Sequence, residues 1–289
     1  MHFSKHDILA LVGIASVMGL SAAVFVNAGQ VGVFGFIAVI ALLLIGLSIE
    51  SRRRNLGYLA NTHAQLATLL SRSEQDYRQL EALFTLYKLL PLRAPLPPMR
   101  GWAICPDFAV FILQTIREVR PLLVMELGSG VSTIIASYAL EAAGRGRVVS
   151  VEHEAAFAEQ TARRLEQHGM NDIATVIHAS LKKVTVGDRA FMWYSIDALP
   201  NTGTIDLLIV DGPPGHIQEF SRYPALPLLR ERLSPQATIV LDDADRVDEK
   251  RILEMWQAEM PGLKLEKFST EKGTAMLKTP SPRPSGDPR

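Results

Sequence analysis

The sequence predicts an α/β fold, a parallel sheet with helices on both faces, preceded by two transmembrane helices. Three observations predict it. Short apolar runs alternate with helix-like segments from residue 107 to residue 277. Glu126, Glu152 and Asp211 each close one of those runs, as expected where a ligand lies against the carboxyl edge of a parallel sheet. No charged residue occurs between Asp7 and Glu50, so that segment suits hydrocarbon better than water.

A single helix over the uncharged stretch would far exceed the ~30 Å hydrocarbon core of a bilayer. Asn27-Ala28-Gly29-Gln30 at its centre is a turn signal. The expectation is a tight hairpin of two spans, residues 8–26 and 31–49, within a 1–50 membrane segment. Ser51-Arg52-Arg53-Arg54 follows at once, and the positive-inside rule puts that end in the cytoplasm, with Lys5 on the same side. The chain then reads as a multi-pass protein of the inner (plasma) membrane, both termini and the soluble domain being cytoplasmic. A cleaved signal peptide ending near Ala28 is the competing reading, opposed by the second apolar span that follows directly.

Residues 51–98 read as a helix and a linker. Leu59, Leu66, Leu80 and Tyr87 share one heptad position, and Leu70, Tyr77 and Phe84 share the other. The helix, residues 59–90, either pairs two chains as a short coiled coil or packs on its own domain. Proline-rich residues 91–98 cannot continue it.

The main domain is expected over residues 99–279. Its elements in order are helix 107–119, strand 122–126, helix 132–143, strand 147–151, helix 155–168, strand 174–178, strand 206–210, helix 223–233, strand 237–241, helix 249–260, and two closing strands near 263–268 and 274–277. Residues 181–204 show no clear period. Residues 280–289 are proline-rich and polar, the composition of a disordered tail.

Thirty Lys and Arg balance thirty Asp and Glu. The zero net charge gives no reason to expect a nucleic-acid partner. The one cysteine, Cys105, rules out an intramolecular disulfide and reads as a small residue in a partly buried turn. No Cys/His cluster of zinc type is present.

The turn after strand 122–126 carries the chemistry. Glu126-Leu127-Gly128-Ser129-Gly130 ends an apolar run and opens a helix. Two glycines permit a tight turn and a close approach of backbone to ligand. The dinucleotide fingerprint needs a third glycine three residues on, but Thr133 stands there. Glu126 would repel a diphosphate and suits a cationic or amino-bearing ligand. About twenty residues later Glu152 can accept hydrogen bonds from ribose hydroxyls.

This combination resembles the class I methyltransferases that use S-adenosylmethionine, over roughly residues 102–278. The resemblance implies a Rossmann-like sheet with an antiparallel end. It implies cofactor contacts at Glu126, Gly128, Ser129, Gly130, Ser132, Glu152, His153, Ser180 and Asp211. Methyl transfer from a sulfonium is an in-line displacement that often requires a base, and Asp211 and His216 are the candidates. Asp211, Asp242 and Asp243 end two strands, similar to the acids that hold a divalent cation, such as Mg2+, in the metal-dependent catechol-type O-methyltransferases. Two departures stand against that parallel: Pro213 and Pro214 replace a lysine, and Asp243 replaces an asparagine. The local alternative is an ion pair of Asp243 with Arg246.

Arg222 and Tyr223 are candidates for the acceptor pocket, and Trp102 for a cover over the cofactor. The expected acceptor is a hydroxyl of a small molecule or lipid-linked glycan. A homodimer through residues 59–90 is the expected assembly. A non-catalytic module that senses the cofactor or scaffolds partners is the alternative function.

Overall fold

The structure, a computed structural model, describes residues 5–199 and 203–280. The chain divides into two compact units, residues 1–73 and 74–289.

In the first unit the described backbone is helical, as part of helix α1 (Lys5–Leu89). The expected hairpin is therefore corrected: residues 27–30 are helical, not a turn. One glycine in a helix interior costs about 1 kcal/mol, too little to break a continuous run of i→i−4 hydrogen bonds. A multi-pass topology, which rested on that turn, is not shown. What stands is a helix long and apolar enough to cross a membrane: its most apolar window, within Gly32–Leu89, has mean hydropathy 2.7 and is not buried in the protein.

In the second unit α1 packs on the sheet domain through one face. Leu86 and Leu90 are buried beside Phe108 and Ile112 of helix α2 (Pro106–Val119), and Gln79 Nε2 donates to Asp107 Oδ2 at 2.8 Å. The heptad residues Tyr77, Leu80, Phe84 and Tyr87 are exposed on the other side. Packing on its own domain thus uses residues outside the predicted seam.

The proline-rich segment is fixed to the domain as well. Arg93 N donates to Tyr138 Oη (2.8 Å), and Arg93 Nη1 to the carbonyls of His168 (2.9 Å) and Gly169 (3.2 Å). Its second amino group pairs with Glu141. Cys105 is buried just before α2, where burial pushes its thiol up to about 12, unsuited to a nucleophile.

The sheet has seven strands. They are β1 (Leu123–Leu127), β2 (Arg147–Glu152), β3 (Ala174–His178), β6 (Ile205–Val210), β7 (Leu233–Asp242), β8 (Lys264–Phe268) and β9 (Thr274–Lys278). Their spatial order is β3-β2-β1-β6-β7-β9-β8. Neighbours from β3 to β7 run parallel, and β9 lies antiparallel to both β7 and β8. Helices α3 (Val131–Ala143), α4 (Ala155–Gln167), α5 (Ala225–Leu229) and α6 (Val247–Glu259) make the crossovers. The order reverses beside β1, where α/β sheets open a crevice for ligands.

The strands read as continuous apolar runs because both faces are covered, yet each alternates. Leu123, Met125 and Leu127 join one core cluster with Leu208, Val210, Ile239, Leu241 and Trp256. Val124, Leu207, Ile209 and Val240 join the other, with Ile112, Ile134 and Ile135. Glu126 falls on the same face of β1 as Val124, toward α3, and is buried.

Residues 181–194, where the sequence shows no period, form an antiparallel hairpin of β4 (Leu181–Val186) and β5 (Arg189–Tyr194). Gly187, at φ +60°, makes the reversal with Asp188. A two-residue Gly-Asp loop is a hairpin signal, but the mixed strands hide it: β5 buries Phe191, Trp193 and Tyr194 while Met192 is exposed. The helix expected over 223–233 shortens to α5 and a 3-10 turn, since β7 starts at Leu233. The expected tail lies outside the described residues.

Candidate active site

Three backbone hydrogen bonds align the strand ends. Gly128 N donates to Val151 O (2.9 Å), Asp211 N to Leu127 O (2.9 Å) and Ala179 N to Glu152 O (2.8 Å). They bring Gly128, Glu152 and Asp211 to one edge of the sheet. A cavity of about 740 Å3 opens there, a volume suited to a nucleoside-sized ligand with space for a second reactant. Of the residues expected to hold cofactor, Gly128, Ser129, Gly130, Ser132, Glu152, His153 and Asp211 line it, and so does His216.

The glycine turn fits the expected close approach. Gly128 has φ +107°, and a Cβ there would stand 3.7 Å from Asp211. Gly130, at φ +145° before α3, is likewise a conformation that L side chains rarely adopt.

Glu126 does not line the cavity. It lies behind the turn, fully buried. Its Oε2 accepts from Thr133 Oγ1 at 2.6 Å and also bonds Ser150. Gly130 N in turn donates to Thr133 Oγ1 at 3.1 Å. Burial pushes the Glu126 carboxyl up to about 7 against these hydroxyl bonds. Thr133, the residue that excludes the dinucleotide fingerprint, is thus the link between strand and turn. Thr133→Val should lose about 1–3 kcal/mol by taking one hydroxyl donor from buried Glu126 and the acceptor from Gly130 N, and weaken S-adenosylmethionine binding; unchanged melting and affinity would refute that link.

Glu152 ends β2 with both oxygens engaged. Oε1 accepts from His153 N (2.7 Å), Glu154 N (3.1 Å) and His153 Nδ1 (2.8 Å). Oε2 accepts from Ser129 Oγ at 3.2 Å. Burial alone would raise this carboxyl, but the bonds from His153 and Glu154 outweigh it and hold it below its usual range. An ionised carboxylate fixed in this way is a good acceptor for vicinal hydroxyls. Ser180 is exposed, outside the cavity lining; its carbonyl instead anchors Ser195 N at 3.1 Å.

The acidic residues of β6 and β7 gather as expected: ligand atoms of Asp211, Asp242 and Asp243 lie within 4.8 Å of one another. Asp211 and Asp243 line the cavity, while Asp242 is buried outside the lining. Arg222 enters this group with a side chain only 3% exposed. Its Nη2 donates to Asp243 Oδ2 (2.8 Å), Asp211 Oδ1 (3.2 Å) and Asp211 O (2.9 Å), and its Nη1 to Asp242 O (2.8 Å). Arg246 Nη1 meets Asp243 Oδ2 at 3.0 Å, the local pair the sequence offered as the alternative. Burial pushes Asp211 up to about 6; Arg222 opposes that shift and Asp243 adds to it.

His216 stands at the cavity wall edge-on to Trp102, with ring centroids 5.6 Å apart. Trp102 itself is 86% exposed. Sequence reasoning missed Tyr194, whose buried hydroxyl lines the cavity without a hydrogen-bond partner among the described residues. It also missed Lys272, brought from the β8–β9 turn. Tyr194 ends a strand that shows no period, and Lys272 is distant in sequence from every motif.

Residues 125–244 match the family model described as a methyltransferase domain. No curated protein matches the sequence. Among solved structures the chain is similar to the O-methyltransferase TomG of Streptomyces achromogenes, in complex with S-adenosylmethionine: 17% identity, 63% of this chain and 84% of that one, TM-score 0.48. An O-methyltransferase from Bacillus cereus, in complex with the demethylated cofactor, is similar at 16% identity over 70% of this chain and 90% of that one, TM-score 0.47. The family match falls on the strands and turns that build the cavity, from β1 to the end of β7.

Proposed function

We propose that the chain is a class I S-adenosylmethionine-dependent methyltransferase acting on a hydroxyl of a small molecule or lipid-linked glycan, with Asp211 as the base. One observation carries the reading: Asp211 ends β6 at the same edge as Gly128 and Glu152, partly open to the cavity, with Arg222 holding its carboxylate. Glu152 would take the ribose hydroxyls of the cofactor, and the Gly128–Gly130 turn would lie against its methionine portion. Asp211 accepts the hydroxyl proton as the acceptor oxygen bonds the methyl carbon. Bound S-adenosylmethionine would supply an electrophilic methyl group on its sulfonium, whose sulfur would keep the bonding electron pair as a neutral thioether. His216 is the alternative base, supported by its place on the cavity wall beside Trp102.

The N-terminal helix would hold the protein at a membrane with Arg52-Arg53-Arg54 on the cytoplasmic side. That motivates the lipid-linked acceptor. The exposed seam residues of 59–90 would pair two chains. A divalent cation on Asp211, Asp242 and Asp243 is the competing reading, suggested by the closeness of the three carboxylates and opposed by Arg222, which bonds two of them.

Calorimetry with the full-length protein in detergent tests the reading. S-adenosylmethionine should bind saturably, and Glu152→Ala should weaken it at least tenfold, by about 1.4 kcal/mol or more. Turnover of the cofactor on any hydroxyl acceptor supports the proposal. Binding without turnover across hydroxyl acceptors would favour the non-catalytic sensing module.

A further inference from the structure

The acidic cluster at the ends of β6 and β7 is already served by cations of the chain itself. Four carboxylates, Asp211, Asp242, Asp243 and Glu249, stand against Arg222, Arg246 and Lys272. Arg222 Nη2 is hydrogen-bonded to Asp211 and Asp243 together, so an N–H group occupies the space between two of the three candidate ligands. The guanidinium is held from behind by the carbonyls of Asp211 and Asp242. A magnesium ion needs oxygen atoms at about 2.0–2.1 Å in near-octahedral order. To enter, it would have to displace a buried arginine from two carboxylates and two carbonyls. The residues present therefore do not fit a resident divalent cation.

We infer that Arg222 is the fixed cation of this site, standing where a divalent ion would otherwise sit and orienting Asp211 toward the acceptor, so that methyl transfer here proceeds without a metal. The inference rests on the proposed base role of Asp211. Arg222 also lines the cavity, and its Nε–H has no hydrogen-bond partner among the described residues. Arginine suits this place because its planar fork bonds several oxygens at once and stays charged at any working pH. Arg222 is a positioning residue: it acts on the acceptor through Asp211.

The test uses full-length protein in detergent and Mn2+ as the probe, followed by the paramagnetic resonance of the free ion and by thermal melting. S-adenosylmethionine affinity is measured on the same sample. Wild type should leave the millimolar Mn2+ signal undiminished, melt at the same temperature with and without Mn2+, and bind cofactor equally with and without a chelator. Arg222→Ala should gain a Mn2+ site that raises its melting temperature, since a ligand of the folded state stabilises it. Adding Asp243→Asn to that variant should remove the site. Stoichiometric Mn2+ binding by wild type, abolished by Asp243→Asn, would overturn the inference even if Arg222→Ala fails to fold. Absence of cofactor binding by folded wild type would instead sink the reading beneath it, and the Mn2+ titration reports on Arg222 separately.

Discussion

Asp211→Asn should lower kcat by about 10^2–10^4, the range of a lost general base, while changing S-adenosylmethionine affinity by less than about tenfold. The amide keeps the shape and can still accept from Arg222, so the fold at the end of β6 should survive. What it cannot do is take a proton. Asp211 is pushed up to about 6 by burial, with Arg222 opposing, so in the proposed role of base it is ionised above about pH 6 and protonated below it. The kcat of wild type should therefore rise through that region toward neutral pH and fall on its acid side. The residual activity of Asp211→Asn should lack this limb. Initial rates against pH, with an acceptor found by screening, decide it. A variant with wild-type kcat and an unchanged acid limb would transfer the base role to His216.

Arg222→Met should destabilise the domain by about 3–5 kcal/mol. Removing one partner of a buried ion pair leaves the others desolvated and uncompensated, and Arg222 meets Asp211, Asp243 and Glu249 in a nearly closed environment. For a domain of this size that is a loss of roughly 6–20 °C in melting temperature. Asp243→Asn in the same chain should recover part of the loss, because Asp243 makes the shortest of these contacts, at 2.8 Å. Arg222→Lys should be intermediate: the charge remains, but a single ammonium cannot reach two carboxylates and two carbonyls at once. Thermal melts of wild type, Arg222→Met, Asp243→Asn and the double variant form the cycle, with Arg222→Lys measured beside them. A melting temperature for Arg222→Met within about 2 °C of wild type, less than 1 kcal/mol of loss, would mean that the cluster is wet and weakly coupled, contrary to its burial.

The fold was legible in the sequence because its signals are local. Apolar runs at 122–126, 147–151 and 206–210 are long enough to mark buried parallel strands. Gly128 and Gly130 mark a turn at positive φ after β1, and Glu152 and Asp211 mark the carboxyl edge by closing their apolar runs. Each depends on a few adjacent residues, so hydrophobic period and turn chemistry suffice to find it. The β4–β5 hairpin was not legible, since its strands mix charged and apolar side chains on both faces and only Phe191, Trp193 and Tyr194 enter the core.

Two roles were decided by tertiary structure alone. Glu126, which the sequence offers as a cofactor contact, faces α3 and ties the turn through Thr133 and Ser150, because strand alternation turns it away from the cavity. The three aspartates read as a metal site in one dimension, but folding delivers Arg222 from the segment after β6 into their midst. A sequence shows which charges it contains. Which of them neutralise one another depends on contacts between residues far apart in the chain, and only packing sets those distances.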